Sequence, residues 1–315
     1  MLVILSTVLP VFGLILLGWC AVKTGYVSGS AGKALAEFAF KAAMPALLFR
    51  AMATSKGFDG SPLPLLGTYF GAMVSTWIIA TLASRWMLRR PWDDSAAVAM
   101  GAVFGNTVML GIPLALSAFG EAAAAPIALI VAIETPLMWL AATTQMELTL
   151  RRGGQASAAR PGAAIIDFVR NPIVLSILLG VAWRATGLAI PDLFDRWLGL
   201  LAQSAAPAAL FALGMSLATY RITGELPTLT AIGMLKLGCY PAIAYALATY
   251  VFEMPATWTA VAVLFAAMPV GANAYLFAQR YERAVGAVSG AMAVTTVVAV
   301  ASLSAVLAHL GAARG

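Results

Sequence analysis

The stretch FGNTVMLGIP, residues 104–113, places an asparagine, a threonine, two glycines and a proline inside an otherwise apolar segment. Asn106 carries an amide that both donates and accepts. Pro113 has no N–H and its ring crowds the carbonyl four residues back, that of Met109, so regular helix is expected to be interrupted there. Gly105 and Gly111 loosen the backbone further. A second stretch, AAMPVGANAY at 266–275, has the same character: Pro269 disturbs the Phe265 carbonyl, and Gly271 and Asn273 follow. In hydrocarbon an unpaired backbone group costs several kcal/mol, so such breaks persist only when buried in protein or lining a watery cavity. Two breaks supply helix N-termini, which favour anions, and free carbonyls, which favour cations or donors. Gly105, Asn106, Thr107, Gly111, Pro113, Pro269, Gly271 and Asn273 are therefore the candidate substrate-binding residues, and a small organic anion is the ligand they suit. The plainer account is that these residues only kink ordinary helices and that Asn106 is interhelical glue.

Four ionisable residues fall well inside apolar segments: Glu37, Lys41, Glu134 and Lys236. A charge in the membrane is costly enough to be a functional candidate. Glu37 and Lys41 stand at i,i+4 with the acid first, so mutual neutralisation on one helix face is a sufficient structural account. Glu134, followed by Thr135 and Pro136, is either a carboxylate that couples an ion or proton, or a partner for Lys236 or an amide. Lys236 either attracts a substrate carboxylate or reaches the interface by snorkelling. The breaks themselves carry asparagines, which cannot titrate, so the coupling ion, sodium or proton, is left open.

The elements that must position these groups are membrane helices. Of 315 residues, 62% are hydrophobic and 10% charged, a surface no soluble domain could present. The apolar runs approach the roughly 20 residues an α-helix needs to cross hydrocarbon and lack the alternation of a membrane barrel. Ten spans are expected, at 2–22, 31–53, 62–84, 95–118, 122–146, 171–189, 197–219, 227–251, 256–279 and 284–308. The first is read as a retained helix rather than a cleaved signal. The net charge of +6 is spread over short connections instead of one face, which argues against nucleic acid. With the N-terminus outside, twelve basic residues lie at inner connections and five at outer ones, so both termini are expected outside an inner membrane. Cys20 and Cys239 sit in spans with no metal or redox spacing, and His309 stands alone near the C-terminus, so no cofactor, metal centre or catalytic constellation is expected.

Shifting the chain by 162 positions aligns LLGWCAVKTG (16–25) with LLGVAWRATG (178–187), and PALLF (45–49) with PAALF (207–211). Five crossings per half is an odd number, so the second copy enters the membrane inverted. Inverted repeats are typical of secondary transporters with a midplane site between discontinuous helices. The expected division is a first repeat at 1–149, a short cytoplasmic linker at 150–165 and an inverted second repeat at 166–315. A passive channel or sensor subunit is the reading from another class.

FGNTVMLGIPLA, AMPALLF (43–49), Asn171-Pro172 and AAMPVGANAYLFAQRY together resemble the auxin efflux carrier family, whose bacterial members include organic-acid carriers. The similarity runs over nearly the whole chain and includes the short central loop of the bacterial branch. It implies a ten-helix, bile-acid-symporter-like fold with broken, crossing helices four and nine. It further implies a scaffold of helices 2–53 and 171–219, transport helices 62–146 and 227–308, elevator movement and a homodimer. In plant members an indole carboxylate is held at the crossover with asparagine involvement, and Asn106 is the matching position. Span three lacks the acidic and basic residues of those members, which disfavours auxin itself.

Overall fold

The computed structural model describes residues 2–55, 61–152, 171–219 and 225–312. The expected linker lies outside these residues beyond Arg152. The chain is all-helical among the described residues, with one isolated antiparallel bridge between Gly105 and Val270. Its α-helices are α1 (Leu2–Lys23), α2 (Ala31–Phe38), α3 (Met44–Thr54), α4 (Leu63–Trp86), α5 (Trp92–Val103), α6 (Ile112–Phe119) and α7 (Ala124–Arg152), then α8 (Pro172–Ala185), α9 (Asp192–Leu217), α10 (Leu226–Met234), α11 (Tyr240–Ala246), α12 (Ala256–Ala266), α13 (Ala272–Tyr281) and α14 (Val285–Ala312). Wider π-helical turns occupy Ala39–Ala43, Thr107–Gly111, Leu235–Cys239 and Leu247–Val251. Five helical stretches are long and apolar enough to cross a membrane: Leu63–Trp86, Thr107–Leu150, Asp192–Leu217, Leu226–Val251 and Val285–Leu310. This is the makeup of a polytopic membrane protein.

Local chemistry sets many boundaries. Asn171 caps α8 by accepting from the Ile173 N–H at 2.9 Å, and Pro172 occupies the first turn, where its missing N–H costs nothing. Asp93 and Asp94 in the first turn of α5, and Asp192 and Asp195 in that of α9, complement the positive helix ends. Pro113 lies in the first turn of α6, behind the π-helical turn Thr107–Gly111. The chain therefore opens upstream, at Phe104–Asn106, and not at Pro113, where the wider π-helical turn just ahead of the proline keeps the backbone helical into α6.

Contacts divide the chain into two compact units: Met1–Pro62, Val108–Ala132 and Asp167–Thr219 form the first, and Leu63–Thr107, Ile133–Ile166 and Tyr220–Gly315 the second. Within the first unit, equivalent residues at the 162-residue offset do equivalent things. Thr24-Gly25 and Thr186-Gly187 make the same turn, with Gly25 at φ 75° and Gly187 at φ 70°, conformations that favour glycine. The Gly25 N–H reaches the Val22 carbonyl at 3.1 Å, and the Gly187 N–H reaches that of Arg184 at 3.0 Å. Gly18 of α1 packs so closely on α9 that a Cβ would come within 2.1 Å of the Phe211 carbonyl oxygen. Gly180 of α8 packs on α3 in the same way, with a Cβ 2.6 Å from the Phe49 oxygen. Any side chain at either glycine would push two backbones apart. Arg50 of α3 also holds Asp195 of α9 by two hydrogen bonds, at 2.6 and 2.9 Å.

The second unit contains α4, α5, the later part of α7 and α10–α14. Arg90 bonds Asp94, Glu225 and Thr228, and Arg283 pairs with Asp93 at 2.7 Å, tying the start of α5 to the start of α10 and to the turn after α13. Gln145 of α7 accepts from the Trp77 indole at 2.6 Å and donates to Ser95 at 3.0 Å, joining α4, α5 and α7.

Candidate functional site

The site is built in the second unit from two interruptions of helix. α5 ends at Val103, and Phe104 turns to extended backbone with ψ 108°. α12 ends at Ala266, three residues before Pro269, and α13 restarts at Ala272. With no donor on Pro269, the Phe265 carbonyl takes the Met268 N–H at 3.2 Å instead. The two open segments bond to each other. The Asn106 N–H donates to the Pro269 carbonyl at 2.8 Å, and the Gly271 N–H donates to that of Phe104 at 2.9 Å. This short antiparallel pairing satisfies groups that the helices have given up.

Glycine is required on one side of the pairing and tightly packed on the other. A Cβ on Gly271 would stand 2.5 Å from the Gly105 carbonyl oxygen. A Cβ on Gly105 would meet the Met268 Cβ at 3.1 Å and the Lys236 Nζ at 3.2 Å. Any larger residue at 271 therefore separates the two segments.

Behind the breaks lies a chain of buried polar side chains. Glu134 of α7, 1% exposed, accepts from the Tyr69 hydroxyl and from the Thr107 hydroxyl, each at 2.6 Å. The Tyr240 hydroxyl points at the Tyr69 carbonyl at 3.4 Å, and the two rings tilt together with centroids 5.7 Å apart. Lys236, fully buried on the π-helical turn Leu235–Cys239, donates to the Ala266 carbonyl at 2.6 Å and lies 4.6 Å from the centre of the Tyr240 ring. Thr295 of α14 accepts from the Val270 N–H at 3.1 Å. A buried carboxylate and a buried ammonium thus stand in one network, joined through tyrosines rather than by direct contact.

A family model described as "Membrane transport protein" matches residues 3–307. The chain belongs to this family. Among curated proteins, this membrane transport protein is 28% identical over 312 residues to one of Rhizobium meliloti (strain 1021) named "Putative malonate transporter", a match covering 96% of this chain and 95% of the other. It is 26% identical to an "Uncharacterized transporter" of Methanothermobacter thermautotrophicus, over 95% of each chain. It is 24% identical to "Auxin efflux carrier component 8" of Arabidopsis thaliana, over 78% of this chain and 80% of the other. The resemblance to auxin efflux carriers is borne out, and the chain is a multi-pass membrane transporter, not an enzyme.

In this transporter the sequence-marked residues are placed as follows. Gly105, Asn106, Pro269 and Gly271 form the paired segments. Thr107 follows directly and gives its hydroxyl to Glu134. Asn106 and Asn273 are half-buried, and neither amide bonds another described side chain. Gly111 and Pro113 belong to the first unit. Lys236 does not snorkel, and Glu134 makes no direct ion pair with it. Glu37 and Lys41 pair with each other at an exposed position of the first unit. The sequence reading did not single out Tyr69, Tyr240 or Thr295. Two signals were available: Tyr240 stands at i,i+4 from Lys236, a helix-face spacing, and Thr295-Thr296 is a polar pair inside an apolar run. In the first unit an open groove of about 460 Å³ runs past Thr54, Arg184, Leu188 and Asp195 and is lined by none of the marked residues.

Proposed function

We propose that this protein is a secondary transporter of a small organic anion, a mono- or dicarboxylate, that binds at the paired breaks beside Asn106 and Asn273. The observation that carries the reading is the pairing of Gly105 with Val270, beside which two asparagine side-chain amides stand next to opened helix ends with no side-chain partner among the described residues. The malonate name of the R. meliloti relative makes malonate the first compound to test. The proposed fold is ten spans in a 5+5 inverted repeat with broken, crossing helices four and nine. The matched Thr-Gly turns and the matched glycine contacts of Gly18 and Gly180 support the repeat. Transport helices 62–146 and 227–308 are proposed to move by an elevator-type alternation against scaffold helices 2–53 and 171–219, in a homodimer in an inner membrane with both termini outside. The grouping of Met1–Pro62 with Asp167–Thr219 supports the scaffold, although Val108–Ala132 groups with it as well.

The test is uptake and counterflow of radiolabelled malonate in proteoliposomes, with a panel of other organic acids and separate sodium and pH gradients. Saturation and counterflow are expected, and conductance without either would identify a channel. Asn106→Ala is expected to raise KM at least about tenfold, the worth of a hydrogen bond to a charged group, with an unchanged melting temperature. Normal uptake by a stable Asn106→Ala protein removes that amide from the site. A second reading, cation or proton antiport through Glu134, is favoured by the Thr107–Glu134 bond, which connects a carboxylate to the break.

A further inference from the structure

The break at Pro269 leaves one specific pair of groups apart. In an uninterrupted helix the Ala266 carbonyl would accept from the Val270 N–H, four residues on. Here each half has a different partner: the carbonyl accepts from the Lys236 ammonium at 2.6 Å, and the N–H donates to the Thr295 hydroxyl at 3.1 Å. Pro269 alone does not enforce this. Its missing donor would have served Phe265, so a kinked helix could still close the Ala266–Val270 bond, as proline-kinked membrane helices commonly re-satisfy their backbone.

We propose that Lys236 and Thr295 are positioning residues that jointly replace this one helical hydrogen bond and so hold helix nine open at the substrate site. The two side chains come from different helical stretches, the π-helical turn Leu235–Cys239 and α14, and both are buried, Thr295 at 2% exposure. The ammonium suits its position, since α12 ends there with its negative dipole end. It also packs against Gly105, where a Cβ would come within 3.2 Å of Nζ, so the same group that opens helix nine fills the space beside the other break. The wide π-helical turn carries Lys236 out of ordinary helical register, an arrangement frequent at functional positions. Neither residue needs to touch the transported anion.

The inference deepens the proposed transport site, and its test does not depend on the substrate. Hydrogen–deuterium exchange is measured on the full protein in nanodiscs, following peptides that cover 266–275 and 104–110. Thr295→Val removes the hydroxyl at nearly constant volume, and Thr295→Ser keeps it. Thr295→Val is expected to speed exchange in 266–275 at least about tenfold, the factor equivalent to one buried hydrogen bond, while Thr295→Ser stays within a few-fold of native. Lys236→Met is expected to speed exchange in both peptides. If Lys236→Met does not fold, the Thr295 pair still decides. Native exchange in Thr295→Val, or equal acceleration in Thr295→Val and Thr295→Ser, would overturn the proposal. Malonate uptake by the same variants gives the functional consequence: a fall in maximal rate larger than the change in KM for Thr295→Val, restored in Thr295→Ser. If the native protein does not move malonate, the substrate reading fails while the exchange result stands.

Discussion

The chain carries two glutamate–lysine couples inside apolar helical stretches, and it accommodates them in opposite ways. Glu37 and Lys41 lie one helical turn apart and pair directly, with side chains 56% and 65% exposed. Glu134 and Lys236 are 1% and 0% exposed and do not touch. Each is instead satisfied by neutral groups, two hydroxyls for the carboxylate and a carbonyl with an aromatic face for the ammonium. Proximity in sequence solves the first couple without help from the fold. The second exists only because tertiary structure places Tyr69, Thr107, Tyr240 and Ala266 around it. The buried couple stands beside the breaks, bonded to Thr107 and to the Ala266 carbonyl.

The largest effect expected from disturbing this contrast is that of Lys236→Met. It strips the Ala266 carbonyl of its donor and leaves Glu134 without a balancing charge. Removing one member of a buried charged couple costs about 3 to 5 kcal/mol, so the variant should accumulate poorly and melt well below the native protein. The double variant Lys236→Met/Glu134→Gln removes both charges and should recover part of that loss. A double variant as unstable as the sum of its singles would mean that the two groups act independently.

Glu134→Gln comes next. It conserves volume, but an amide nitrogen cannot accept, so one of the Tyr69 and Thr107 hydroxyls loses its acceptor. The cost of one unsatisfied buried group is about 1 to 3 kcal/mol, readable as a lower melting temperature. Because Thr107 is next to Asn106, uptake should fall as well. If Glu134 couples protons, the same variant loses the dependence of uptake on a pH gradient, and unchanged dependence removes that role while leaving the positioning role intact.

How much of this was legible in the sequence follows from the range of each interaction. Polytopic helical character and family resemblance came from composition and motifs spread over the whole chain. The opening at Pro269 was legible because a missing N–H is a local property. The opening in span four was marked by Gly105, but Pro113 drew attention downstream, to the Met109 carbonyl, where the π-helical turn Thr107–Gly111 keeps the backbone helical into α6. The Glu37–Lys41 pair was readable from i,i+4 spacing. The partners of Glu134 were not, because Tyr69 is 65 residues away and no period connects them. The polar pair Thr295-Thr296 marked a position but not its role, since a threonine in a membrane helix usually bonds its own backbone and this one also receives the Val270 N–H from 25 residues away.

The smallest effect belongs to the exposed couple, and it is the control for the whole comparison. Lys41→Met and Glu37→Gln each leave a lone charge, but one with open surroundings in which to find water, a headgroup or another partner, and exposed ion pairs contribute little. Neither variant should shift the melting temperature resolvably or alter KM for whichever organic acid the native protein is found to transport, and the double variant should match the native protein in both. The contrast with Lys236→Met is the informative quantity: same residue type, same replacement, similar apolar sequence context. If Lys41→Met slowed transport as strongly as Lys236→Met, burial and the replaced helical hydrogen bond would not be what distinguishes the two lysines. The explanation would then have to be sought in net charge, for which Lys41→Arg, which keeps the charge, should restore transport.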